Sequence, residues 1–255
     1  MSQLTGKTEQ ELFEDLKGVI FLNPMHTSEE DGRPKYLPAD EYLSGNVREK
    51  LAIAKRSAEL HPEDYGENVR ALEAVQPVDL TASEISVRLG ATWLPPETIE
   101  EFMFELFSTP RYCQWNIHVH YAQYTGEWNV EGKSYDRSNV KAHNTYGTGR
   151  VNGYKIMEET LNLRDVRIFD YIEDGNGRKT AVLNKKETAI AQGKQELIKQ
   201  AFADWIWSDP ERREQLTKLY NEKFNSIRPR EYDGSHLNFV GINPEITLRP
   251  HQVNA

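Results

Sequence analysis

Apolar residues recur at helical spacing through most of the first 110 positions of this 255-residue chain. Leu12, Phe13 and Leu16 line one face of a segment from Thr8 to Lys17 that Gly18 should end. GVIFLNPMHTSEEDGRPKYL then reads as a strand, a loop and a return strand, with Asn23-Pro24 and Asp31-Gly32 as turn signals. Asn46 is placed to cap a helix carrying Val47, Leu51, Ala54 and Ala58, and Pro62 opens another through Val69, Leu72 and Val75 that Pro77 closes. Thr81 and Glu84 have capping-box spacing, which predicts a helix ending at Gly90. Pro95-Pro96 starts the next, through Ile99, Phe102, Met103 and Leu106.

The period changes in the middle. WNIHVHY (115–121) alternates and is rich in β-branched and aromatic residues, so it reads as a strand, with EWNVEGKSY as a second. A Gly-, Asn- and Tyr-rich loop, NTYGTGRVNGY, leads into the helix IMEETLNL. VRIFDYIE and RKTAVLN form a hairpin about the turn Asp174 to Gly177. From Lys185 the helical period returns, with Ile190, Leu197, Ile198, Ala201, Phe202, Trp205 and Ile206 in one wide stripe. Asp209-Pro210 opens a helix with Leu216, Leu219, Tyr220 and Phe224, and the last thirty residues are extended and turn-rich. The expected class is α+β, predominantly helical with a small antiparallel sheet in the middle. Three regions are expected: an acidic helical region 1–110, a small α+β region with antiparallel strands 111–184, and a helical hairpin with an extended tail 185–255.

Composition narrows this further. The hydrophobic share of 38% and charged share of 28% fit a globular protein and exclude wholesale disorder. No apolar run has the roughly 18 residues of a membrane span, and the N-terminus does not read as a signal peptide. One cysteine, Cys113, excludes an intrachain disulfide or multi-cysteine zinc site, and the expected compartment is the cytoplasm. The net charge of −9 excludes a protein that coats nucleic acid with its whole surface. That charge is uneven: residues 1–110 hold 10 Lys and Arg against 21 Asp and Glu, and the remainder 21 against 19. A polyanion would therefore be handled by the second half.

Four patterns bear on chemistry. LTASEISVRLGATWLPPETIEEFMFEL has a helix-turn-helix outline, but its second helix would present Glu97, Glu100, Glu101 and Glu105 to phosphates. Repulsion favours a helical hairpin packed in the core over duplex reading. His118 and His120 share a strand face, and His143, Asp136 or Glu127 could supply a third metal ligand, yet no spacing signature supports it and no metal is expected. The glycine-rich loop from Lys141 to Lys155 could turn backbone N–H groups toward a phosphate, although no Gly-Lys-Ser/Thr makes it a nucleotide loop. Neither a Gly-x-Ser-x-Gly elbow nor His-Glu-x-x-His is present, so no catalytic residues are expected.

Several long blocks resemble a known family, in order along the chain: DEYLSGNVREKL (Asp40 to Leu51), ENVRALEAVQPVDLTASEISVRLGATWLPP (Glu67 to Pro96), LNKKET (Leu183 to Thr188) and RPREYDGSHLNFVGINPEITLRPHQVNA (Arg228 to Ala255). They are similar to very large helicase and adenine-specific DNA methylase polyproteins of phages and integrative mobile elements, in which a methylase region precedes a Swi/Snf-like superfamily-two motor. The resemblance runs from near residue 18 to the last residue. It implies that LRPHQ opens such a motor, with Gln252 at the adenine edge of ATP and Arg249 holding the segment. It also implies ATP and S-adenosylmethionine as cofactors of the parent enzyme, none for this piece, and neighbouring methylase and helicase domains as partners. The methylase motif Asn/Asp-Pro-Pro-aromatic and any phosphate loop are missing, so an interior, non-catalytic piece of a larger enzyme is expected.

The expected role is a DNA-engaging module. Arg137, Lys141, Arg150 and Lys155 would contact phosphates, and Tyr146 or Trp128 would offer stacking faces. Two other classes stay open: a protein-interaction spacer without DNA contact, and a small metal-dependent nuclease around His118, His120 and His143.

Overall fold

The computed structural model describes residues 2–28, 32–173, 179–232, 243, 248, 249 and 252. The chain divides into two compact units, residues 1–80 with 221–255, and residues 81–220.

In the first unit, α1 (Ser2–Thr5) precedes α2 (Glu9–Asp15), where Thr8 and Glu11 form the reciprocal capping box. β1 (Ile20–Leu22) pairs antiparallel with β2 (Tyr36–Pro38), Phe21 opposite Leu37. The side chain of Asn23 stabilises the loop by donating to Pro34 O at 2.9 Å and accepting from Met25 N at 3.1 Å. Asp31, the other expected turn residue, lies outside the described residues. α3 (Ala39–Tyr42) and the short β3 (Gly45–Asn46) follow. α4 (Val47–Leu60) starts where the Asn46 side chain accepts from Glu49 N, and α5 (Pro62–Ala74) packs on it. Phe21, Tyr42, Val47, Ala54 and Leu72 are the buried centre of this unit. Asn68, buried among them, donates to Leu22 O at 2.8 Å and to the Tyr42 hydroxyl at 2.9 Å, so its amide is not left unpaired.

The second unit opens with a departure from the sequence expectation. Residues 81–90 form no helix. The Thr81 amide and hydroxyl both donate to the Glu84 carboxylate, at 2.8 and 2.7 Å, and the turn is not continued. Ile85 and Val87 are β-branched and favour extended backbone, and burial of Ile85 and Leu89 draws the segment onto the core. Gly90, at φ +90°, packs so closely that a Cβ there would lie 2.3 Å from Leu161 O. The helix-turn-helix outline therefore loses its first helix.

α6 (Pro96–Phe107) and the short α7 (Arg111–Gln114) lead into a hairpin of β4 (His118–Ala122) and β5 (Glu127–Glu131). Val119 faces Val130 across it, and both are buried, as alternation predicts. A 3₁₀ turn (Lys133–Asp136) and a π-helical turn (Lys141–Thr145) precede α8 (Gly153–Leu161), which Asn152 caps. β6 (Phe169–Glu173) and β7 (Lys179–Leu183) pair antiparallel, and the turn joining them lies outside the described residues. α9 (Lys185–Ile206) and α10 (Pro210–Phe224) complete the helices, the last residues of α10 belonging to the first unit. The core gathers α6, α8 and α9 through Phe102, Phe107, Tyr154 and Phe202, with Phe102 edge-on to Phe202 at 5.1 Å.

The class is α+β and helix-dominated, but the strands do not form one central sheet. Among the described residues they make four separate two-stranded antiparallel pairs, and β3 with β8 (Ile227–Arg228) belongs to the first unit. No helix among the described residues is long and apolar enough to cross a membrane.

Candidate nucleic-acid interface

A short piece of backbone in the second unit sets the geometry. Pro110 fixes the start of α7, Cys113 N–H donates to Pro110 O at 2.8 Å, and the Gln114 side chain donates back to Thr109 O at 2.8 Å. Cys113 is buried beneath this turn, and its thiol lies 3.4 Å from Tyr135 O, which joins α7 to the 3₁₀ turn. Burial pushes that thiol up, with the Asp136 charge adding to the effect, and the side chain packs beneath the turn. Gly132 enters the 3₁₀ turn at φ +69°, where a Cβ would stand 1.7 Å from Asn116 O. Lys141 Nζ donates to Ser108 Oγ at 2.8 Å, and Asn139 donates to Phe107 O at 3.0 Å. Residues 107–116 and 132–141 are thus neighbours.

What this neighbourhood exposes is unusual for the chain. Neither residues 106–126 nor residues 137–157 contain an Asp or Glu. Asp136, which separates the second run from Glu131, is buried and accepts from the Tyr154 hydroxyl at 2.7 Å and from Asn139 at 2.6 Å. Arg111, Arg137 and Lys141 stand exposed on this surface. So do three rings: Trp115 at 83%, Tyr112 at 73% and Tyr135 at 61%.

The residues expected to contact DNA are distributed differently. Arg137 and Lys141 are on this surface. Arg150 donates to Asp170 Oδ1 at 2.8 Å and to Phe169 O at 3.0 Å, which commits its guanidinium to β6. Lys155 is held by Glu158 at 2.8 Å and Glu159 at 2.7 Å. Tyr146 is half-buried beside Phe107. Trp128 is a correction: only 3% exposed and packed on Tyr121, it has no ring face to offer a base. Gln252 N–H donates to Arg249 O, and Arg249 N–H donates to Gln252 Oε1 at 3.0 Å. Most of the residues around that turn lie outside those described.

His118 and His120 do share a face, 6.2 Å apart by ring centres, but each faces a glutamate, Glu100 at 3.5 Å and Glu131 at 3.6 Å. Asp136 is taken up by Tyr154 and Asn139, and Glu127 by Arg164, so neither completes a ligand set. His143 sits on the π-helical turn. The grouping of ligand-type side chains among the described residues is elsewhere, at exposed His61, Glu63 and Asp64. The carboxylates of α6 also have internal work. Glu100 accepts from Val119 N at 2.7 Å, Glu101 lies 3.4 Å from Arg212, and Glu105 accepts from Trp205 Nε1 at 2.7 Å. They hold the helix in the unit, in keeping with a packed element.

Reasoning from periodicity missed Arg111, Tyr112, Trp115 and Tyr135. Alternation places Trp115 at the head of a strand, whereas it follows the turn of α7. The signal that could have found the surface is the pair of carboxylate-free runs in a chain with 40 Asp and Glu.

The family described as Domain of unknown function (DUF8437) matches residues 88–226, more than half of the chain, and the chain belongs to it. Residues 1–30 are similar to the family described as Probable helicase, winged helix domain, which points to a helicase-related protein. Neither match extends to the methylase side of the resemblance. No curated protein and no solved structure matches the chain.

Proposed function

We propose that this chain is a helicase-associated module, without catalysis of its own, that contacts the nucleic-acid backbone through Arg111, Arg137 and Lys141. The observation that carries the reading is the surface built from residues 107–116 and 132–141. It gathers three exposed cations and no exposed carboxylate from its own segments, in a chain of net charge −9. Phosphate is attracted where the local field is positive, whatever the sum over the molecule. The helicase-type match at residues 1–30 supports the context. The finer setting, a spacer joining a methylase region to a superfamily-two motor in a phage or mobile element, rests on the family resemblance, as do ATP, S-adenosylmethionine and the adenine role of Gln252.

The test is binding of labelled DNA as salt is raised. Three phosphate contacts give log K against log salt a slope near −2 to −3, about 0.7 to 0.9 per contact. The double variant Arg137→Glu with Lys141→Glu should weaken binding at least tenfold, while Arg150→Ala, already committed to β6, leaves it unchanged. Absence of binding at low salt overturns the reading.

A second reading, a protein-interaction spacer that sees no DNA, has one observation of its own. Hairpin β6–β7 exposes apolar side chains, Phe169, Tyr171, Ile172, Val182 and Leu183. It predicts association with a downstream motor domain and no DNA binding at any salt concentration.

A further inference from the structure

Resting on the nucleic-acid reading above, we propose that Tyr112, Trp115 and Tyr135 form a stacking platform for unpaired bases, so that the module's partner is single-stranded nucleic acid and not duplex.

Large aromatic side chains contribute most to stability when buried, and a Trp 83% exposed contributes little to its own fold. The core beneath α7 is completed by Cys113 and Ile117, both buried, so the fold places these rings outward without needing them. Among the described residues none of the three has an aromatic stacking partner, unlike Tyr121, Trp128, Phe107 and Tyr154, which pair within the unit. Tyr112 and Trp115 are three positions apart on one helical turn, which sets their Cβ atoms about 5–6 Å apart. A strand with splayed bases can lay consecutive rings on two such side chains. The Tyr135 carbonyl accepts from the Cys113 thiol, which sets this residue beside α7, and its ring is 61% exposed. Arg111, Arg137 and Lys141 then lie within the same short segments to meet the phosphates.

The preference for single strands follows from which groups each form of DNA leaves free. In a duplex both faces of every base are covered by its neighbours, so a protein ring finds nothing to stack on and only the cations act. In a single strand the faces are free, and stacking adds to the charge contacts. Rigidity helps as well. Pro110, the Gln114–Thr109 bond and the buried Cys113 hold the turn, so the rings lose little freedom on binding.

The experiment measures fluorescence anisotropy of a labelled 20-nucleotide oligothymidylate and of a 20-base-pair duplex with the full chain at low salt. The single strand should bind at least fivefold more tightly. Tyr112→Ala with Trp115→Ala should weaken single-strand binding tenfold or more and leave duplex binding unchanged. Trp115→Phe, which keeps a stacking face, should restore most of the loss. Because both side chains are exposed, the thermal midpoint of each variant should match the parent, which separates lost stacking from lost folding. Equal affinity for the two forms, with the alanine variant unaltered, overturns the platform and leaves the backbone reading standing. Failure of both nucleic acids to bind overturns both.

Discussion

Glu158 is nearly buried on α8 and keeps its charge only through its surroundings. Burial disfavours the carboxylate, but Lys133, Lys155 and the Val130 N–H at 3.0 Å together hold it below the usual carboxylate range. A folded-state pKa below the unfolded value contributes stability that is complete above about pH 4.5 and is lost as pH falls through the folded value. Glu158→Gln should therefore flatten the acid limb of a stability–pH curve measured by urea unfolding, and cost about 1–2 kcal/mol at neutral pH. An unchanged acid limb would show that the carboxylate does not matter to the fold. The buried pair Asp136 and Tyr154 illustrates the opposite case. Burial pushes the phenol up, its hydroxyl also lies 2.8 Å from Thr109 Oγ1, and it stays a neutral hydrogen-bonding group.

Among the elements, hairpin β4–β5 stands out for how side chains finish it. Glu100 takes the Val119 amide on one edge. On the other, Asn162 accepts from Trp128 N and donates to Trp128 O, both at 2.8 Å, as a neighbouring strand would. Asn162→Ala should destabilise the unit by about 1–3 kcal/mol. It should also speed amide exchange at Trp128 before the rest of the hairpin, a local effect that hydrogen exchange resolves. The helices were largely legible from sequence because their ends carry specific chemistry: Thr8, Asn46 and the Pro95-Pro96 pair start helices where expected. Residues 81–90 misled because capping-box spacing can close a single turn without guaranteeing the next. The stripe on α9 misled in a different way. Ile190 and Leu197 are exposed, while polar Thr188 and Gln195 are buried because they hydrogen-bond the main chain of Ile168, Val166 and Arg164. Apolar periodicity cannot register a face built to bind backbone. The exposed aromatic surface escaped for a related reason: Tyr112, Trp115 and Tyr135 look like core in the sequence, and only the fold shows them exposed.

Over the whole molecule, charge and family follow the two compact units. Residues 81–220 hold 18 Lys and Arg against 20 Asp and Glu, and the rest of the chain holds 13 against 20. Most of the net negative charge, −7 of −9, thus belongs to the first unit, because its basic residues are fewer, and the family match at 88–226 falls largely on the second. A polypeptide of residues 81–226 should fold by itself, giving one cooperative thermal transition and dispersed amide resonances. Freed of the acidic part, it should bind DNA at 50 mM salt at least as tightly as the full chain. Broad, non-cooperative melting would show that the second unit needs the first. The Asn221 side chain accepts from Leu80 N and donates to Leu80 O, both at 2.9 Å, so the points where the chain leaves the first unit and rejoins it are clasped together. Residues 81–220 are therefore inserted between two adjacent points of the first unit's chain. An insertion whose two ends lie side by side leaves the path of the chain around it almost unbroken.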